Sequence, residues 1–220
     1  MIKKFINSIK KLPTSIIAII LMIFSGMCAS TMHCFIRFAT LENHPFQVAF
    51  YRTVFVLIIF LPIIFKEGLT SLRVVDKKLQ SYRAIVGSVA MCCMFFGISI
   101  TELAKATALL FTVPIFSTIL AIFFLKEIVG LRRWMAMILG LIGALVVIRP
   151  DVGLGLGPLI ILFGAISWSG SLLMAKKLTI TETNTSMTFW QAAGLIPATL
   201  ILSIPFLKLP SFEQLIICFF

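Results

Sequence analysis

Residues 104–125 read AKATALLFTVPIFSTILAIFFL, an apolar stretch with a single charge, Lys105, near its start. A helix needs roughly 20 mostly apolar residues to cross about 30 Å of hydrocarbon at 1.5 Å per residue, with every backbone amide bonded internally. This stretch meets that requirement, and six other segments meet it or come close. They run from Ser15 to Ile36, Phe46 to Phe65, Ala84 to Ile100, Trp134 to Ile148, Leu156 to Ala175 and Met187 to Leu207. The segment from Trp134 is short unless Arg132 and Arg133 reach out to the interface. Leu215 to Phe220 reads as the start of an eighth crossing. The fold class expected is an all-α polytopic membrane protein with about seven helices and part of another.

Composition agrees. The 220 residues are 60% hydrophobic and 12% charged, with a mean hydropathy of +1.11. A soluble domain is roughly half apolar and a quarter charged, because charged groups must cover its surface. Lipid is the partner that this surface implies. A net charge of +11 would ordinarily suggest nucleic acid, but the basic residues form short clusters between apolar runs and make no continuous face. They follow instead the rule that cytoplasmic loops collect lysine and arginine. Fourteen of the nineteen fall on one side: Lys3, Lys4, Lys10, Lys11, then Lys66 to Arg83, then Lys126 to Arg133, then Lys176 and Lys177. The N-terminus is therefore expected in the cytoplasm of a bacterial-type cell. An uncleaved first span is the simpler reading of the basic tail, since the apolar run continues past Cys28-Ala29-Ser30.

Enzyme chemistry finds no footing. No paired carboxylates, phosphate-cradling loop or nucleophile–base set is present, and Gly153, Gly155 and Gly157 read as a connection between spans. The five cysteines lie in apolar runs and have no zinc-like spacing with His33 or His44, so neither metal, cofactor nor disulfide is expected.

Shifting the sequence by 139 positions sets Phe24 on Phe163, Ser30 on Ser169, Arg37 on Lys176 and Phe50-Tyr51 on Phe189-Trp190. The first helix pair thus recurs as the sixth and seventh. Five spans separate the copies, so the second enters the membrane inverted, as in many secondary transporters.

Polar groups at membrane depth are the clue to a site, because each is costly unless it faces protein or a wet cavity. His33, near the end of the first span, and Arg52, about two turns into the second, head that group. Interfacial snorkelling is the plain alternative for both. Facing a cavity, Arg52 would grip a carboxylate in a fork that lysine does not reproduce. Its repeat equivalent is Gln191, neutral and able to donate and accept. Pro114 removes a backbone donor inside the fourth span and is expected to kink it, with Thr112 among the groups that answer the freed carbonyl. That kink serves as a gate or is purely structural. Glu102 and Lys105 read as an external ion pair.

The chain also resembles the EamA-like branch of the drug/metabolite transporter superfamily. The resemblance is carried by Pro45-Phe46-Gln47-Val48-Ala49-Phe50-Tyr51-Arg52, by Ala104 to Ala108 leading to Pro114, by Phe123 to Glu127, by Trp134, and by Gly140 to Pro150. Within that branch, the run from Phe46 to Glu127, with Pro210 to Glu213, is similar to S-adenosylmethionine uptake carriers of intracellular alphaproteobacteria. The resemblance implies two five-helix repeats: a basic tail over 1–14, a first repeat over 15–150 and an incomplete second over 151–220. It implies alternating-access transport of a small metabolite, S-adenosylmethionine or an amino acid. Tyr51, Trp168 and Trp190 would then offer aromatic faces to a purine or sulfonium, or else serve as interface anchors. Because the pattern implies ten spans, either a C-terminal portion lies outside this sequence, or the protein is truncated and would not transport unless another chain supplied the missing helices. A homodimer is a further arrangement that the sequence leaves open.

Overall fold

The computed structural model describes residues 14–148 and 155–206. Several parts of the sequence reading fall outside those residues: the basic tail, Pro150 and the linker glycine Gly153, Leu207, the stretch Pro210 to Glu213, and the eighth crossing from Leu215 with Cys218. The described residues form eight α-helices, two short 3-10 segments and no strand. They are α1 Thr14–Glu42, α2 Pro45–Glu67, α3 Lys77–Ile100, α4 Leu103–Leu110, α5 Val113–Leu125, α6 Leu131–Ile148, α7 Leu156–Leu178 and α8 Asn184–Ser203. With α4 and α5 taken together over Leu103–Leu125, six helical units are long and apolar enough to cross a membrane. The sixth helix, α6, has 18 residues and a length of about 27 Å; it covers the segment expected from Trp134 but is not among those six.

Most helices outrun their apolar cores. The sequence places the third span from Ala84, yet α3 starts at Lys77 because Asp76 caps it, its side chain accepting a hydrogen bond from Leu79 N at 3.0 Å. At the other end of the chain, Thr183 caps α8 by accepting from Ser186 N at 3.2 Å. Such caps satisfy amides that the first helical turn leaves unbonded.

The fourth span departs most from expectation. A kink was expected at Pro114; in the structure the α-helical bonding breaks at Phe111 and Thr112, between α4 and α5, while both residues keep right-handed helical dihedrals. Proline offers no N–H and its ring crowds the carbonyl four residues back, here Leu110. The chain responds with tight bonds, from Phe111 N to Ala108 O at 3.0 Å and from Thr112 N to Leu109 O at 3.1 Å. The Thr112 hydroxyl donates to Leu109 O at 2.5 Å. From α7, the Ser169 hydroxyl is shared between Ala165 O of its own helix at 2.7 Å and Val113 O at 3.1 Å, and so sets the start of α5 against a neighbouring helix.

The centre of the bundle is α3, packed along α7 and α8, while α2 packs along α8 and α5 along α7. Its core gathers Ile36, Val48, Ala49, Met91, Phe95, Ile98 and Leu195. Close approach of α3 and α7 depends on Gly164, where an added Cβ would lie 3.2 Å from Cys93 Cβ and 3.3 Å from the Ala90 carbonyl. Glycine at a helix interface lets backbones approach in this way. In contrast, α1 is largely exposed, with no buried residue across its most apolar window. Phe65, Phe123, Phe124 and Leu131 are likewise exposed. Faces of this kind belong against lipid or protein, not water.

Candidate functional site

A cavity of about 690 Å³ lies among α1, α2, α3, α7, α8 and the interruption of the fourth span. Pockets of some 300–1,000 Å³ suit metabolite-sized ligands. Its wall is mainly apolar, and its polar side chains include His33 from α1, Arg52 and Thr53 from α2, and Thr188 and Gln191 from α8. Trp168 of α7 and Pro114 of α5 complete the part of the wall that matters for ligand contact. Among the described residues, no carboxylate lines the cavity.

That absence defines the chemistry of Arg52. Its Nη2 donates to Met32 Sδ at 2.9 Å, and its guanidinium carbon lies 5.7 Å from the centre of the Phe95 ring. A thioether is a weak acceptor and a phenyl face a soft counter-charge. Neither supplies the two oxygens that a guanidinium fork fits. The half-buried Arg52 thus keeps capacity for an anion.

Five of the eight expected site residues meet at this cavity: His33, Arg52, Pro114, Trp168 and Gln191. Arg52 and Gln191, equivalent under the 139-residue shift, stand on the neighbouring helices α2 and α8. The other three stand outside the lining. Tyr51 packs against the core, accepting a hydrogen bond from Gln47 Nε2 at 3.4 Å. Trp190 turns to the end of the bundle, where its Nε1 donates to Leu72 O at 2.9 Å. Thr112 bonds its own helix. Glu102 and Lys105 do form the expected ion pair, 3.7 Å apart and partly exposed. Near that pair's end of the bundle, His44 precedes α2 and stacks face to face on Phe206 with ring centres 3.6 Å apart. Burial there holds the imidazole below its ordinary pKa.

A second polar assembly, unforeseen from the sequence, closes the opposite end. The loop after α2 is fastened to the turn before α8 and to its first turns. Thr183 Oγ1 donates to Ser71 O at 3.0 Å and Ser186 Oγ to Arg73 O at 3.2 Å, while Trp190 holds Leu72. Glu182 Oε1 accepts from Asp76 N at 3.3 Å. From α3, Gln80 and Arg83 both donate to Met187 O, at 3.3 Å and 3.0 Å. We refer to this set as the clasp. Its partners are more than 100 positions apart, so no local motif could announce it. Met32 and Phe95 were missed for a different reason, since in an apolar run each reads as packing.

Comparison with known proteins fits this architecture. The chain is 32% identical to an S-adenosylmethionine uptake transporter of Rickettsia felis, over 74% of this chain and 54% of that protein. It is 26% identical to a riboflavin transporter of Rhizobium johnstonii, over 83% of this chain and 62% of that protein. A transporter of Helicobacter pylori described as uncharacterized is 27% identical over 70% and 52%. The chain spans about half the length of the Rickettsia relatives it matches. Residues 16–149 match the model of the EamA-like transporter family, and this multi-pass, all-helical membrane chain belongs to that family.

Proposed function

We propose that this chain carries a small metabolite across a bacterial inner membrane by alternating access, as a secondary transporter and not an enzyme, with S-adenosylmethionine as its substrate. The observation that carries the reading is Arg52, a guanidinium on the wall of a cavity without a carboxylate, partnered by a sulfur and a ring. The methionyl end of S-adenosylmethionine presents the carboxylate that this fork fits. Trp168 adds an aromatic face for the sulfonium or the base. The Rickettsia relatives named for that substrate support the choice among metabolites.

The clasp suits the closed gate of such a cycle, because it seals the end of the bundle where the lysine- and arginine-rich loops gather. By the bias of those loops, that end is cytoplasmic. The cavity would then represent the binding site with its inner exit shut. In this reading the length missing relative to the Rickettsia proteins is supplied by further helices, whether they follow in the same polypeptide or come from a second chain or a second copy.

The reading is tested by uptake of labelled S-adenosylmethionine into bacterial cells making this chain or Arg52→Ala, with membrane insertion confirmed for both. Uptake that Arg52→Ala loses is the result expected. Equal uptake by both removes Arg52 from the pathway, and no uptake by the inserted chain speaks against a carrier complete in itself.

A further inference from the structure

Among the described residues lining the cavity, Gln191 alone has every side-chain polar atom shut away: both Nε2 and Oε1 are buried, and neither has a hydrogen-bond partner. The amide lies against the backbone of Gly87 on α3. A Cβ at Gly87 would overlap Gln191 Nε2, and would stand 3.2 Å from Gln191 Cδ and 3.3 Å from Ser171 Oγ on α7. The missing side chain at position 87 is therefore what makes the niche.

Burying a primary amide with no partner is unfavourable, and more so where no water can reach it. Gln191 is also a lining residue of the cavity. A turn about its side-chain torsions would carry the amide from the niche toward that space, where a ligand can satisfy it. An amide offers a donor and an acceptor side by side, so it matches a ligand edge that offers the reverse pair. The adenine edge, with its amino group beside a ring nitrogen, is such a pair, and a glutamine reads it with two hydrogen bonds.

We propose that Gln191 is the residue that reads the base of the ligand, its amide stored against Gly87 until the ligand draws it out. This rests on the reading of the chain as an S-adenosylmethionine carrier and divides that ligand in two, the carboxylate to Arg52 and the adenine edge to Gln191. Gly87 is a positioning residue, acting only through the room it leaves.

The experiment is binding of labelled S-adenosylmethionine to the full chain in lipid nanodiscs, with adenosine, purine riboside and methionine as competitors. Purine riboside lacks the amino group. The wild-type chain is expected to prefer adenosine over purine riboside by about tenfold, the worth of one good hydrogen bond. Gln191→Leu, close in shape and without polar atoms, is expected to lose that preference, leave competition by methionine unchanged, and melt no lower than wild type without ligand. Gly87→Ala is expected to melt lower, and Gly87→Ala with Gln191→Ala to recover. Retention of the preference in Gln191→Leu overturns the proposal while the carrier reading stands. A lower melting temperature for Gln191→Leu overturns it too, by making the amide a structural group. If Gly87→Ala is not rescued, the niche is not what Gly87 provides. Absence of S-adenosylmethionine binding by the wild type overturns the reading of this cavity as that ligand's site in the chain on its own, and this proposal with it.

Discussion

The clasp and the cavity wall are built from similar side chains and connect them differently. At the clasp, Thr183, Ser186, Trp190, Gln80 and Arg83 each donate to a backbone oxygen on another segment, and Glu182 accepts from a backbone amide, although Gln80 Oε1, Arg83 Nε and Glu182 Oε2 are buried without a partner of their own. At the cavity, Arg52 has a thioether and a ring, and Gln191 has nothing. The difference separates two roles. Each clasp side chain has at least one bond to the backbone of another segment, whereas Arg52 and Gln191 have none to backbone, which on the reading proposed above leaves them for a ligand.

The contrast can be broken at its strongest point first. Arg52→Ala should lower S-adenosylmethionine uptake by roughly 10- to 100-fold, the worth of a charge-assisted hydrogen bond. Its melting temperature in detergent should stay near that of the wild type, because the partners lost are weak. Unfolding of Arg52→Ala would put the arginine among the structural groups and erase the distinction. Next in size is Arg83→Ala, which removes a donor to Met187 O; it should destabilise the protein by about 2 kcal/mol in a reversible unfolding assay. Smaller again is Trp190→Phe, which keeps the ring and removes the hydrogen bond to Leu72 O. It should cost about 1 kcal/mol and leave ligand affinity unchanged, since Trp190 lies outside the cavity lining. Last, Glu102→Gln should alter neither stability nor uptake measurably, as exposed ion pairs contribute little. A clear loss of uptake in that variant would give Glu102 a part in proton coupling and extend the site beyond the cavity.

Much of the fold was legible because lipid makes a single demand, about 20 apolar residues in a row, and the loops between Ser15 and Leu207 punctuate such rows clearly. The interruption at Phe111 and Thr112 was not, although Pro114 pointed to the neighbourhood. A proline reports that a helix is disturbed, but where the chain gives way depends on partners such as Ser169 on α7. The polar residues of the cavity wall, Arg52, His33 and Gln191, were readable, since groups of that kind at membrane depth are conspicuous. Tyr51 and Trp190 lie off that wall. Each sits beside a cavity residue in sequence, Arg52 and Gln191, and successive helical residues point about 100° apart. Neighbours along a helix therefore rarely share a narrow wall, and this geometry was available from the sequence alone. Gly87 gave no signal of its own, because a glycine in an apolar helix reads as close packing whatever it packs against.

The interrupted fourth span bears on how the chain is made. With 8 and 13 residues, α4 and α5 are about 12 and 20 Å long, and neither reaches across the hydrocarbon alone. The insertion machinery must accept them as one hydrophobic unit, before the junction between them has its neighbours. Those include Ser169, which is synthesised 56 residues after the Val113 carbonyl beside it. The part of the cavity wall made by Val113 and Pro114 therefore gains its packing partner on α7 only after its own span has been made.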